Sequence, residues 1–122
     1  GLYPATVYGA ESLSPREIAT KVAELSARAT AGALTREDIT GGSFTVSNLG
    51  MYGVGSFTAI INPPMGAILA LGRAQERVVV ESGAPAIATM VSATLSCDHR
   101  VIDGAVGAQF LQLLGAQIAA LS

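Results

Sequence analysis

Apolar residues gather in two stretches of helical spacing, one near each end of the chain, with short extended-looking runs between them. From Leu13 to Ala31, the residues Ile18, Val22, Leu25 and Ala29 recur three or four positions apart and define one face of an α-helix. Ser14, Pro15 and Glu17 supply a capping box with proline at the first helical position, and Gly32 ends the helix. Glu17 with Lys21 and Glu24 with Arg28 are predicted to pair on the wet side. Thr35 to Asp38 reads as one more helical turn before the Gly41-Gly42 break.

The pattern then changes period. Ser43 to Ser47 alternates with period two and predicts a short strand, followed by a loop punctuated by Asn48, Gly50, Gly53 and Gly55. Ala59-Ile60-Ile61 is a small apolar segment stopped by Asn62-Pro63-Pro64. Ala67 to Gly72 and Arg77 to Glu81 predict two strands with Gln75 near the turn between them, and Ser82 to Pro85 predicts a second turn. Ile87 to Ser96 is apolar nearly throughout, which predicts the longest strand, buried on both faces. Asp103 to Leu121 closes the pattern as a helix capped by Asp103, with Val106, Phe110, Leu113, Leu114, Ile118 and Leu121 on one side. Helix, strands, then helix predict an α+β layered fold.

Composition adds one expectation. Half of the 122 residues are hydrophobic and only 13% are charged, against roughly 25% in ordinary soluble domains. A single compact unit with that little charge is expected to have part of its surface covered by another subunit or polypeptide. The net charge of -2 is spread without a basic stripe, so nucleic acid is not an expected partner. Apolar runs fall well short of the ~20 residues of a membrane span, so no membrane partner is expected. One cysteine excludes an internal disulfide and a cysteine-rich zinc site, and no metal is expected. A start at Gly1-Leu2-Tyr3-Pro4, without Met and without a secretory pattern, reads as a piece of something longer.

The polar run Ser96-Cys97-Asp98-His99-Arg100-Val101-Ile102-Asp103-Gly104 holds the only histidine. Imidazole is the side chain that takes and returns a proton near neutral pH, so His99 is the candidate general base. Asp103, four residues on, is placed to brace the ring, to cap the helix, or both. Asp98 and Arg100 read as a salt bridge fixing the loop. Gly104 and Gly107 permit close backbone approach or tight packing. Cys97 beside His99 raises a Cys–His nucleophile, but an isolated cysteine closing an apolar strand is ordinarily an inert core residue. Ser47 ends a strand before a glycine-rich loop, where its hydroxyl either faces a cleft or serves turn chemistry, as Asn48 does. No Gly-x-Ser-x-Gly elbow surrounds Ser47, which argues against a serine hydrolase.

Four blocks in order resemble the catalytic domain of the dihydrolipoamide acyltransferases of 2-oxo acid dehydrogenase complexes. They are residues 41–53, residues 57–64, residues 67–72, and Leu95 to Ala105 with its Asp98-His99-Arg100-Val101-Ile102-Asp103-Gly104 signature. Ser47-Asn48-Leu49-Gly50 is most similar to the acetyl-transferring members. The resemblance covers most of the chain but only the C-terminal half of that domain, so residues 1–122 are expected to be that half, with no lipoyl or peripheral subunit-binding domain. It implies a chloramphenicol-acetyltransferase-like layered fold, a mixed sheet with flanking helices, here as a partial domain. His99 then matches the general base, Ser47 the oxyanion-stabilising hydroxyl, and Asp103 the acidic or amide residue that supports the site.

The same resemblance implies coenzyme A as a substrate, a lipoyl group on a partner domain, and no metal. It implies homotrimers or a larger core, with His99 and Ser47 of one site coming from different subunits. A companion chain, or further residues carrying the first half, is expected as well. The compartment would be bacterial cytoplasm or the mitochondrial matrix. Ala5-Thr6-Val7-Tyr8-Gly9-Ala10-Glu11 departs from the family's usual Pro-Val-Val-Arg-Asp-Ala-Asp and lacks its charged pair. Two other readings stay open: an acyltransferase acting on a small-metabolite hydroxyl, and a non-catalytic core subunit.

Overall fold

The computed structural model describes residues 4–121; Gly1-Leu2-Tyr3, on which part of the chain-start expectation rests, lies outside them. Contacts group the chain into two compact units, Gly1–Ser43 and Phe44–Ser122, where composition predicted one.

The first unit is built on α1, Pro15–Thr30. Ser14 Oγ accepts from the Glu17 N–H while the Ser14 N–H donates to Glu17 Oε1, both at 3.2 Å, so the predicted capping box closes. At the other end Gly32 takes φ +69°, and the N–H groups of Gly32 and Ala33 donate to the carbonyls of Ala29 and Arg28 at 3.1 and 2.8 Å. These two bonds close the helix in a Schellman motif that a left-handed glycine permits. The predicted Glu24–Arg28 pair is replaced by Arg28 Nη2 to Asp38 Oδ1 at 2.7 Å. Asp38 is already held in the turn Glu37–Ile39 by the Thr35 N–H at 2.9 Å. A carboxylate fixed beforehand costs less side-chain freedom than a second mobile helix residue. Leu25 is the buried residue of α1, whereas Val22 of the predicted stripe is exposed. The Tyr8 hydroxyl lies 2.6 and 2.7 Å from the Glu37 and Thr40 carbonyls.

Five strands and a helix make the second unit: β1 Phe44–Asn48, β2 Ala67–Leu71, β3 Gln75–Glu81, β4 Ala84–Met90, β5 Ala93–Cys97 and α2 Gly104–Ala120. Strands β1, β2 and β5 form a mixed sheet in that order, β2 running parallel to β1 and antiparallel to β5. The α+β class and the mixed sheet predicted above are therefore present. Strands β3 and β4 form a separate hairpin, closed by Ser82 at φ 50° and Gly83 at φ 79°. Two successive positive φ angles make the two-residue turn whose twist matches the strands. The turn is thus shorter than the predicted Ser82–Pro85, and Pro85 lies within β4 opposite Val80.

One expectation is corrected outright. Ile87–Ser96 is not a single strand buried on both faces: β4 ends at Met90 and β5 begins at Ala93, in different sheets. Ile87, at the centre of β4, is 72% exposed. The strand buried on both faces is β2, where Ala67, Ile68, Leu69 and Ala70 are all buried, because it is the middle strand of its sheet.

Helix α2 crosses one face of this sheet. The Phe110 ring lies 5.4 Å from that of Phe44 on β1. At Gly107 an added Cβ would stand 3.2 Å from Cys97 Sγ and 3.7 Å from Leu95 Cδ2 on β5, so glycine sets the closeness of approach. Gly107 is the one buried residue of α2 among the described residues; Val106, Leu113, Ile118 and Leu121 of the predicted apolar side are exposed. Another close approach is at Gly72, where an added Cβ would collide with the Gly55 carbonyl oxygen. That contact holds the glycine-rich loop against the end of β2, assisted by Arg73 N–H to Val54 O at 2.7 Å.

Candidate active site

His99 stands in the turn that leaves β5 and enters α2. Asp98 anchors this turn: its N–H donates to the Gly66 carbonyl at 2.8 Å, and its own carbonyl accepts from Val101 and Ile102 at 2.9 and 2.8 Å. Its carboxylate takes Arg100 in a two-pronged pair, Nη2 to Oδ2 at 2.7 Å and Nε to Oδ1 at 3.0 Å. The Arg100 backbone N–H also donates to Oδ1, at 3.0 Å. The predicted loop-fixing salt bridge is therefore present. Arg100, through its side chain first and its backbone N–H second, holds the Asp98 carboxyl down to about 2. His99 itself is exposed, and its ring makes no hydrogen bond among the described residues.

Asp103 does what a cap does. It sits at the helix N-cap in an extended backbone conformation, and Oδ1 accepts from the Val106 N–H at 2.9 Å. No bond joins it to the His99 ring among the described residues, so its bracing acts through the helix start rather than on the imidazole. Gly104 has open space where a Cβ would stand, so of the two glycines only Gly107 is dictated by packing. Cys97 lies half-buried under α2 against Gly107, the position of a packing residue.

Ser47 lies on the other face of the sheet. Phe44 turns its ring to α2, and alternation sends Val46 and Asn48 the same way and Thr45 and Ser47 the opposite way. Register puts Ser47 level with Ala70 on β2 and, beyond it, with Thr94 on β5. From that level to Cys97 is three residues, about 10 Å, and crossing two strand spacings adds a similar distance at right angles. His99 leaves β5 two residues further out still. Within one copy of the chain Ser47 and His99 are not brought together. Asn48 is a turn residue, its Oδ1 accepting from the Gly50 N–H at 2.8 Å.

Three hydroxyls on the Ser47 side escaped the sequence reading. Thr45, Thr94 and Ser96 share its face and are half-buried. For two of them the signal is the period-two order of Thr94 and Ser96, which an unbroken strand over residues 87–96 obscures. Among the described residues no group of three or more His, Cys, Asp or Glu is placed to hold a metal ion, and no helix is long and apolar enough to cross a membrane.

This fold and the turn bearing His99 put the chain in the class of acyltransferase catalytic domains. More particularly, it belongs to the 2-oxoacid dehydrogenases acyltransferase (catalytic domain) family, whose model matches residues 1–121. The resemblance read from the four blocks is borne out. Over 111 residues the chain is 46% identical to the dihydrolipoyllysine-residue acetyltransferase component of the pyruvate dehydrogenase complex of Rickettsia felis, taking in 91% of this chain and 27% of that protein. It superposes with a TM-score of 0.93 on the dihydrolipoamide acetyltransferase of Azotobacter vinelandii, at 36% identity, covering 99% of this chain and 50% of that one. That structure accompanies an enzymatic investigation of a serine, a histidine and an asparagine in the catalytic mechanism. The cubic core of the pyruvate dehydrogenase multienzyme complex matches with a TM-score of 0.93 at 35% identity, over 99% of this chain and 50% of that chain. This chain therefore spans about a quarter of the Rickettsia protein and half of each solved chain.

Proposed function

We propose that this chain is the C-terminal half of a chloramphenicol-acetyltransferase-like catalytic domain that moves an acetyl group between coenzyme A and the dihydrolipoyl thiol of a partner domain. One observation carries the reading. In the Azotobacter enzyme the investigated histidine follows the serine by fifty-two positions and the asparagine follows the histidine by four; Ser47, His99 and Asp103 stand at the same two spacings. The exposed, unbonded ring of His99 agrees with a group that must meet a substrate.

The chemistry follows from the groups. A thiol attacks poorly until it loses its proton. His99 takes the proton from coenzyme A as the sulfur adds to the acetyl-thioester carbonyl, and the carbonyl oxygen gains the charge. Ser47 donates a hydrogen bond to that oxygen. Collapse breaks the bond to the dihydrolipoyl sulfur, which leaves with the proton from the imidazolium. A positioned base is worth about 10²–10⁴ in rate and one oxyanion donor about 10²–10³. Asp103 holds the helix start that follows the base, and for that an amide serves as well as a carboxylate.

Because Ser47 and His99 lie far apart in one copy, the site is completed between copies of a homotrimer, alone or within a larger core. The first half of the domain comes from a companion chain or from residues outside this one. A compartment in bacterial cytoplasm or the mitochondrial matrix is in keeping with relatives that include both bacterial and mitochondrial proteins.

The test is acetyl transfer from acetyl-CoA to free dihydrolipoamide by the complete assembled protein. His99→Ala is expected to lower kcat by about 10²–10⁴ with assembly intact, as seen by ultracentrifugation. Unchanged transfer in that variant ends the reading. A small hydroxyl acceptor outcompeting dihydrolipoamide would favour the O-acyltransferase reading. Absence of turnover by the complete native assembly would favour a non-catalytic core subunit.

A further inference from the structure

The His99 ring has no hydrogen-bonding partner among the described residues, and the carboxylate expected to brace it, Asp103, is engaged with the Val106 N–H at 2.9 Å. Within this chain, the constraint on the imidazole acts through its backbone. Asp98 and Arg100, the residues on either side, are joined four ways: Arg100 N–H and Nε each to Oδ1 at 3.0 Å, Nε also to Oδ2 at 3.2 Å, and Nη2 to Oδ2 at 2.7 Å. The ring these bonds close contains a single intervening residue, His99.

Exposure sharpens the point. The Arg100 side chain is 85% exposed and that of Asp98 only 20%. An arginine standing in water gains little stability from a surface carboxylate, so a pair this well formed has its consequence in local geometry. The half-buried Asp98 is tied to Gly66 and to the Val101 and Ile102 N–H groups, and thus belongs to the body of the unit. Arg100 folds back onto that fixed point, and the peptide carrying His99 is held between them.

Resting on the reading of His99 as the base, we propose that Asp98 and Arg100 are positioning residues whose two-pronged pair clamps the peptide on either side of His99 and sets where the imidazole is presented. A base displaced by about 1 Å can lose on the order of 10²-fold in rate, so a clamp of this kind acts on kcat.

Acetyl transfer from acetyl-CoA to dihydrolipoamide by the complete assembled protein tests it. Arg100→Ala removes an exposed side chain and leaves the Asp98 backbone anchors untouched. It is expected to lower kcat by about 10- to 10²-fold with both KM values within about twofold. Arg100→Lys, which offers one prong, should fall between. Asp98→Asn, which still accepts the Arg100 N–H but loses the charge, should fall with Arg100→Lys. Placed in a His99→Ala background, Arg100→Ala is expected to cost nothing further, because residues that act through one another are not additive. A kcat within twofold of the parent for Arg100→Ala, a loss confined to KM, or the same fold-loss in the His99→Ala background each overturns the proposal. An inactive His99→Ala with a normal Arg100→Ala overturns the clamp alone. A fully active His99→Ala overturns the base reading and the clamp together.

Discussion

Among the described residues, Asp98 is the one whose ionisation is most strongly set by its surroundings. Donation from the Arg100 guanidinium, then from the Arg100 N–H, favours the charged carboxylate and brings its pKa down to about 2. The folded value lies below the ordinary one, so its contribution to stability is complete above the unfolded carboxylate range. That contribution is lost only as pH falls through the folded value. The Arg100 pair is therefore intact wherever an imidazole titrates. Carboxyl chemical shifts followed by NMR should show Asp98 still charged near pH 3, and Arg100→Ala should return it toward the ordinary carboxylate range. Partners this close were legible beforehand, since Asp98 and Arg100, or Ser14 and Glu17, sit two or three residues apart and local geometry decides them. Arg28 with Asp38 and Tyr8 with the Glu37 carbonyl were not, because they stand ten and twenty-nine positions apart and only the folded chain joins them.

At the scale of elements, α2 is governed by two small features at its start, the N-cap and a glycine in the first turn. Asp103→Ala should cost about 1 kcal/mol by leaving the Val106 N–H without its cap, while Asp103→Asn should cost little. Urea unfolding of both variants separates the cap from any role of charge. Gly107 is held by packing: its missing Cβ would stand 3.2 Å from Cys97 Sγ. Alanine there gains helix propensity of about 1 kcal/mol and loses a comparable amount to crowding. Gly107→Val is therefore expected to destabilise by about 1–3 kcal/mol, and Gly107→Ala to turn stabilising once Cys97→Ala removes the sulfur. Melting curves of the three variants check both signs. Both helices were readable from period and caps. The boundary between β4 and β5 was not: Met90-Val91-Ser92-Ala93 carries no glycine or proline to mark it. Unbroken apolarity read as a core strand, yet in β4 it covers a face open to solvent.

That mismatch grows at the scale of the whole molecule. The chain exposes 8921 Å². A self-contained protein of 12.3 kDa exposes about 6,100 Å², and two independent bodies of the sizes of its units would expose about 7,300 Å² together. The excess of roughly 1,600 Å² or more is the scale of a substantial protein interface. Large apolar side chains contribute to the exposed area: Val78, Val80 and Ile87 on the hairpin and Val106, Leu113 and Ile118 on α2 are all exposed. Low charge in the sequence points to a covered surface, and these exposed apolar side chains are where such a cover would lie.

The distance between Ser47 and His99 has a genetic consequence on the proposed reading. Chains disabled by Ser47→Ala and chains disabled by His99→Ala, dead when each is assembled alone, should revive one another when co-expressed and randomly mixed. A neighbour pair draws the surviving imidazole from one parent and the surviving hydroxyl from the other in about a quarter of its sites. Two silent alleles would then yield roughly that fraction of parental turnover. If each catalytic centre instead belonged to a single polypeptide, the hybrids would stay as inert as their parents.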